Sequence, residues 1–304
     1  MSYIYHREKN MSEKKLDFKI NYSKIDVISE YNTQDQRYPL VLSVPHSGTV
    51  FPHEFLQNIC VTEEELRSNE DPFVDELIMD ASDLGIPMVK LNIGRAFIDI
   101  NRDAIEIDPA MFYNYPINNL VSGNKRSRVG LGLFHRITAE RKSIYDGLLN
   151  YEEAQQRIKN VYNVYHKSLQ KMIDRTVKKF GICLVLDCHS MPSKICNIMQ
   201  DNRQIEFCLG TLFEQSCPSE IIEFMSQYLG QKYNVSLDCP YSGAYISFNY
   251  CQPRKNIYTL QMEINRALYE DEPVYKKNAN FQYVSTDICD AITGLANFLL
   301  DFKK

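Results

Sequence analysis

The chain has 304 residues, 44% of them hydrophobic and 24% charged, enough to bury the core of one large α/β domain or two modest ones. Its formal net charge of −5 lacks the basic excess or stripe of a nucleic-acid binder, although a local arginine cluster would still suit a small anion. No stretch approaches the roughly 18 apolar residues of a membrane span, and the polar start MSYIYHREKN has no apolar signal core, so a cytoplasmic protein without a membrane partner is expected.

Residues 1–36 mix Lys, Glu, Ser and Asn with scattered tyrosines and read as a peripheral extension that adds a strand or an arm. Residues 37–304 read as a single catalytic domain. PLVLSV (39–44) predicts a strand that stops at Pro45 and leaves His46 at its C-terminal end. The segment 62–85 predicts one or two helices, with Val74, Leu77, Ile78 and Ala81 on one face and Gly85 as a C-cap. IPMVKLN (86–92) predicts a strand, and RAFIDIN (95–101) alternates like another. Pro, Asn, Ser and Gly are scattered through 103–132, the signature of a long functional loop. A helical pattern runs from 144 to 179, with Tyr151, Ala154, Ile158, Val161, Tyr165 and Leu169 on its apolar face. ICLVLD (182–187) is the strongest buried-strand signal and again ends near a histidine, His189. Beyond it, 219–230 reads as a helix and 233–239 as a connector or strand. The stretches 244–248 and 257–264 read as strands, and 286–300 as a closing amphipathic helix. Strands alternating with helices predict an α/β fold with a mostly parallel or mixed sheet.

Of six histidines, only His46 and His189 directly follow apolar strands. Ligand and metal sites collect at the carboxyl ends of strands in open α/β sheets, which singles these two out over a plain strand-capping role. A zinc hydrolase site commonly takes three N/O ligands, so a carboxylate is needed. The neighbours on offer are Glu70, Asp71 and Asp75, whose ordinary reading is an acidic helix start, and Asp187, placed to orient His189. Arg95, Asn101 and Arg102 form a possible anion-binding group, against simple pairing of the arginines with Asp99 or Asp103. Glu263 lies within the apolar run LQMEI (260–264), where a carboxylate is expensive unless paired or functional. Burial there would raise its pKa toward that of a general base; the competing role is a salt bridge to Arg266. Nine cysteines without a CxxC pair argue against a thiolate zinc knuckle and for a reducing compartment. A cysteine hydrolase built on Cys188 beside His189 is disfavoured, because adjacent strand residues point to opposite faces.

Taken in order, VPHSG (44–48), DPFVDEL (71–77), RAFIDINR (95–102), GLGLFHRI (130–137), the VYHKSL stretch around His166, LDCHSMP (186–192) and LQMEINRALY (260–269) resemble the N-formylglutamate amidohydrolase family. The resemblance runs from about residue 38 to near the C-terminus. It implies a three-layer α/β/α sandwich around a mixed, mostly parallel sheet, like that of the zinc carboxypeptidases and aspartoacylases. It also implies hydrolysis of the amide of an N-formyl or N-acyl amino acid. His46 and His189 match the family's histidine ligands for Zn2+, with Asp71 chosen as the third ligand ahead of Glu70 and Asp75. Glu263 matches the catalytic glutamate and Arg95 the carbonyl-polarising arginine. Asn101 and Arg102, with Arg136 and Ser190, are the expected substrate binders. The chain departs from the pattern at Pro72–Phe73, and Glu206, within 197–211, stands where an aspartate is expected. Two further readings stay open: a metal-dependent deacylase for another N-acyl amino acid or small peptide, and a non-catalytic relative that binds a small anion.

Overall fold

The Val-, Leu- and Ile-rich runs become the centre of a seven-stranded sheet. In the computed structural model, which describes residues 14–116, 125–196 and 204–302, the strands are β1 (Ile28–Tyr31), β2 (Leu40–Val44), β3 (Met88–Leu91), β4 (Cys183–Met191), β5 (Phe207–Gly210), β6 (Val235–Leu237) and β7 (Ile257–Asn265). Their spatial order is β1-β3-β2-β4-β7-β5-β6. The four inner strands β3, β2, β4 and β7 run parallel, while β1 pairs antiparallel with β3 and β5 antiparallel with β7. Every residue of β2, β4 and β7 is buried, as expected for parallel strands covered on both faces.

Alternation along these strands feeds two separate cores. Val41, Val89, Leu91 and Val185 pack on one side with Tyr165, Leu169 and Ile173 of the long helix Asn163–Phe180. Leu40, Leu42, Leu186, Leu260 and Met262 pack on the other with Ile288, Ile292 and Leu295 of the helix Phe281–Asp301 and with Met225 of the helix Ser219–Gly230. The result is the mixed, mostly parallel three-layer sandwich expected. A π-turn, Ile158–Tyr162, joins the helix Tyr151–Arg157 to the long helix.

Several elements differ from the expectation. Residues 95–101 form turns, not a strand. Ala96, Phe97, Ile98 and Ile100 are all buried, so the segment has no solvent face. The Asp99 side chain folds back to accept the Asn101 N–H at 2.9 Å, and Asp99 N–H bonds to Leu133 O at 2.8 Å. Tyr245–Tyr250 is a helix rather than a strand; the Asn101 side chain, far away in sequence, accepts the Ile246 N–H at 2.8 Å near its start. The helical pattern starting at 144 becomes helix only at Tyr151, after a short strand Leu148–Leu149 that pairs with Lys15–Leu16. The 62–85 segment breaks into short turns around Phe73, whose φ is +61°. In the long loop, residues 117–124 lie outside the described residues, as do 197–203 of the 197–211 segment and His6. Glu206 itself accepts the Asn234 N–H at 2.8 Å, beside β5 and β6.

Candidate active site

His46 leaves β2 in a loop that hugs the chain after β3. A Cβ at Gly48 would lie 2.5 Å from the Asn92 carbonyl carbon and the Ile93 oxygen, so only glycine permits this approach. The same loop is sewn to the turn carrying Asp71: Asp71 N–H donates to His46 O at 3.0 Å, and the Ser47 hydroxyl donates to Asp71 O at 3.0 Å. His189 lies on β4, two residues after Asp187. In the parallel ladder with β7, Asp187 sits opposite Gln261 and His189 opposite Glu263. Loop and strand thus bring three donors together. The Nδ1 atoms of His46 and His189 are 3.1 Å apart, and Asp71 Oδ2 lies 3.3 and 2.9 Å from them. This is the one group of three such buried side chains able to share a metal ion among the described residues.

The far nitrogens explain why these atoms face each other. His46 Nε2 lies 2.8 Å from Asp99 Oδ1, and His189 Nε2 lies 2.9 Å from both Asp187 Oδ2 and the Asn101 amide nitrogen. Both Nδ1 atoms face a carboxylate oxygen; with those two nitrogens deprotonated, the three atoms are a donor set suited to a divalent cation. Burial alone would lower the His189 pKa, but Asp187, then Asp71 and Glu263, hold it well above its ordinary value. The field that favours a proton there favours a cation too. Burial also opposes ionisation of Asp71, yet His189 and His46 beside it keep it well below the usual carboxylate range. Asp187 is itself fixed by the Ser43 hydroxyl at 2.7 Å and the Asn101 amide at 3.0 Å.

Of the other acids considered, Glu70 points toward Arg67 at 3.4 Å, and burial pushes its carboxyl up to about 8; Asp75 pairs with Lys90. Neither joins the cluster. Cys188 lies on the opposite face, in the second core, and burial pushes its thiol well above the ordinary value, which removes the cysteine-hydrolase reading.

A cavity of about 670 Å³ opens over the cluster. Glu263 lines it with Oε1 accepting from the Gln261 amide at 2.9 Å; burial raises its pKa to about 7 against the pull of His189. Arg95 lines it too, its Nε donating to Asp99 Oδ2 at 2.9 Å and its Nη1 standing 4.0 Å from Asp71. Arg102 and Ser190 also face the cavity. Asn101 reaches it, but its amide nitrogen lies 3.0 Å from Asp187 Oδ2 and 2.9 Å from His189 Nε2, and its oxygen accepts from Ile246. Arg136 does not line it; its guanidinium faces Asp108 at 3.4 Å.

Other cavity residues went unassigned in the sequence. Arg126 and Arg266 add two more guanidiniums, and His135 adds a buried imidazole. The Ala139 N–H donates to Asn69 Oδ1 at 3.0 Å, so the Asn69 amide nitrogen is the group 2.7 Å from His135 Nδ1. The proton therefore sits on His135 Nε2, and burial holds this ring neutral with a pKa near 4. No local spacing signals that arrangement; it depends on a contact across 66 residues of chain.

The sequence profile of the N-formylglutamate amidohydrolases matches residues 38–270, most of the chain. The chain belongs to this family. Membership makes it an amide hydrolase by family, and relatives agree. An N-formylglutamate deformylase of Pseudomonas putida is 26% identical over 242 residues, 78% of this chain and 83% of that protein. One from Pseudomonas aeruginosa is 24% identical over 269 residues, 87% of this chain and 92% of that protein. The crystal structure of an N-formylglutamate amidohydrolase from Ralstonia eutropha JMP134 superposes with a TM-score of 0.84 at 29% identity, covering 90% of this chain and 99% of that one. A gene product of Agrobacterium tumefaciens, 12% identical with a TM-score of 0.65 over 92% of this chain and 98% of that one, shares the fold. Among the described residues no helix is long and apolar enough to cross a membrane.

Proposed function

We propose that this member of the amidohydrolase family is a zinc-dependent cytoplasmic enzyme that removes the formyl group from an N-formyl amino acid such as N-formylglutamate. The observation that carries the reading is the buried His46–Asp71–His189 donor set with Glu263 beside it on the sheet ladder. The names of the Pseudomonas and Ralstonia relatives support the substrate class.

His46 Nδ1, His189 Nδ1 and Asp71 Oδ2 would hold the zinc ion, whose chemistry when bound is Lewis acidity and the acidification of water. The remaining work falls to side chains. Glu263, with a pKa raised to about 7, takes a proton from the attacking water and later returns it to the leaving amine. Arg95 donates to the carbonyl oxygen as negative charge builds there. Arg102 holds the substrate carboxylate through a planar fork that a lysine would not reproduce, and Ser190 lies on the same wall. Asn101 keeps both Asp187 and His189 in place.

Another N-acyl amino acid or a small peptide is the second reading, since a cavity of about 670 Å³ has room for either. Hydrolysis of N-formyl and N-acetyl amino acids, with zinc supplied or stripped by chelator, tests both. Zinc-dependent release of formate from an N-formyl dicarboxylic amino acid is expected; faster cleavage of N-acetyl substrates moves the case to the second reading. Full turnover in excess chelator would defeat the zinc assignment.

A further inference from the structure

Arg266 was considered in the sequence only as a counter-ion for Glu263. It begins the turn Arg266–Leu268 at the end of β7, and the turn is fixed by Asn265, which accepts the Ala267 N–H at 3.0 Å and donates to Ile205 O at 2.9 Å. The buried guanidinium reaches back to Asp71. Its Nη2 donates to Asp71 Oδ1 at 3.1 Å and to the carbonyl oxygen of Glu70, while Nε donates to the Ser190 hydroxyl at 3.0 Å. The two oxygens of Asp71 are thus divided. Oδ2 faces the two imidazoles and Oδ1 faces Arg266.

We infer that Arg266 is a positioning residue that makes Asp71 a one-oxygen metal ligand. The inference rests on the metal site proposed above. A free carboxylate can close on a cation with both oxygens, filling coordination space that substrate and water require. A guanidinium bonded to Oδ1 prevents that rotation. It also grips the backbone at Glu70, so the carboxylate and the chain that carries it are fixed by one group. Geometry favours arginine over lysine: one planar fork serves Asp71, the Glu70 carbonyl and Ser190, whereas an ammonium is a single point charge on a flexible stem. Two effects oppose each other here. The positive charge of Arg266 repels a second cation, while its hydrogen bonds hold the ligand oxygen in place. Partners behind metal ligands typically strengthen metal binding roughly 10–100-fold. Positioning is therefore the effect expected to win, and the experiment reads its sign.

Zinc dissociation constants from competition with a chromophoric chelator, measured on the wild type, Arg266→Met, Arg266→Lys and Ser190→Ala, test the inference together with kcat and KM. Arg266→Met is expected to weaken zinc binding about 10–100-fold and to lower kcat more than it raises KM. Arg266→Lys should restore part of the loss, and Ser190→Ala should show a smaller loss in the same direction. Unchanged or tighter zinc binding in Arg266→Met overturns the inference. If that variant fails to fold, unchanged binding in both Arg266→Lys and Ser190→Ala does so. A wild type that takes up no zinc overturns the metal reading itself, whereas normal wild-type binding that Arg266→Met leaves intact overturns only the role of Arg266.

Discussion

The chemistry of His189 is decided by the carboxylate behind it. Asp187 lies 2.9 Å from Nε2, which leaves Nδ1 as the nitrogen turned toward His46 and Asp71. Asp187→Asn removes the charge but keeps the shape, and should weaken zinc binding about 10–100-fold; a chelator titration showing wild-type affinity would refute that role. Glu263 stands opposite His189 on the ladder. Glu263→Gln should retain zinc by metal analysis and lose roughly 10²–10⁴-fold in kcat. A variant with zinc bound and full turnover would remove the general-base assignment. At this scale the sequence was partly legible. His46, His189 and Glu263 stand out because apolar strands end in, or contain, groups that such strands do not otherwise carry. Asp71 could not be separated from Glu70 and Asp75 by spacing, because Ser47 and Arg266, from distant parts of the chain, select it. His135 and Arg266 gave no signal as site residues, since their partners are set by tertiary contacts alone.

Elements show the same division. Strands β2, β4 and β7 were legible as apolar runs because both their faces are covered. Residues 95–101 misled, because apolar–polar alternation implies a solvent face that this buried loop lacks, and Asp99 turns inward to bind His46 and Arg95. The helix Tyr245–Tyr250 misled for a related reason: the group bonded to Ile246 N–H belongs to Asn101. Gly48 belongs to this scale, since it lets the loop after β2 rest on the backbone after β3. Gly48→Ala forces these backbones apart, as the added Cβ would meet carbonyl atoms at 2.5 Å. It should cost about 1–3 kcal/mol in urea unfolding, the usual range for overpacking, and weaken zinc binding because His46 moves with the loop. Wild-type stability and affinity together would show that the loop accommodates a methyl group.

For the molecule as a whole, alternation of strands and helices made the α/β class legible. The extension supplies a strand, β1, as expected, but its antiparallel pairing was not legible, nor was β5, which is only four residues long. One buried cation joins the helical layer to the site. Arg157, fully buried, pairs with Glu153 at 2.7 Å, donates to Phe97 O at 2.9 Å and lies 4.1 Å from the Phe97 ring centre. Arg157→Ala leaves the Glu153 carboxylate buried and unpaired, and should cost about 3–5 kcal/mol in denaturant unfolding. A loss below about 1 kcal/mol, the worth of a surface pair, would mean that the pair contributes little.

The ladder between β4 and β7 has a different consequence for how this chain can vary. Because His189 and Glu263 are partners across neighbouring strands, their spacing is set by the sheet at about 4.8 Å and not by the side chains around them. Substitutions elsewhere in these strands change packing and leave that spacing alone. A single inserted or deleted residue does the opposite: a one-step slip turns Glu263 to the far face and brings a neighbour such as Met262 or Ile264 in its place. The two strands are therefore tolerant of spelling and intolerant of frame. Length variation that preserves this pairing belongs in the segments between the strands, where it changes the walls of the cavity without moving His189 or Glu263.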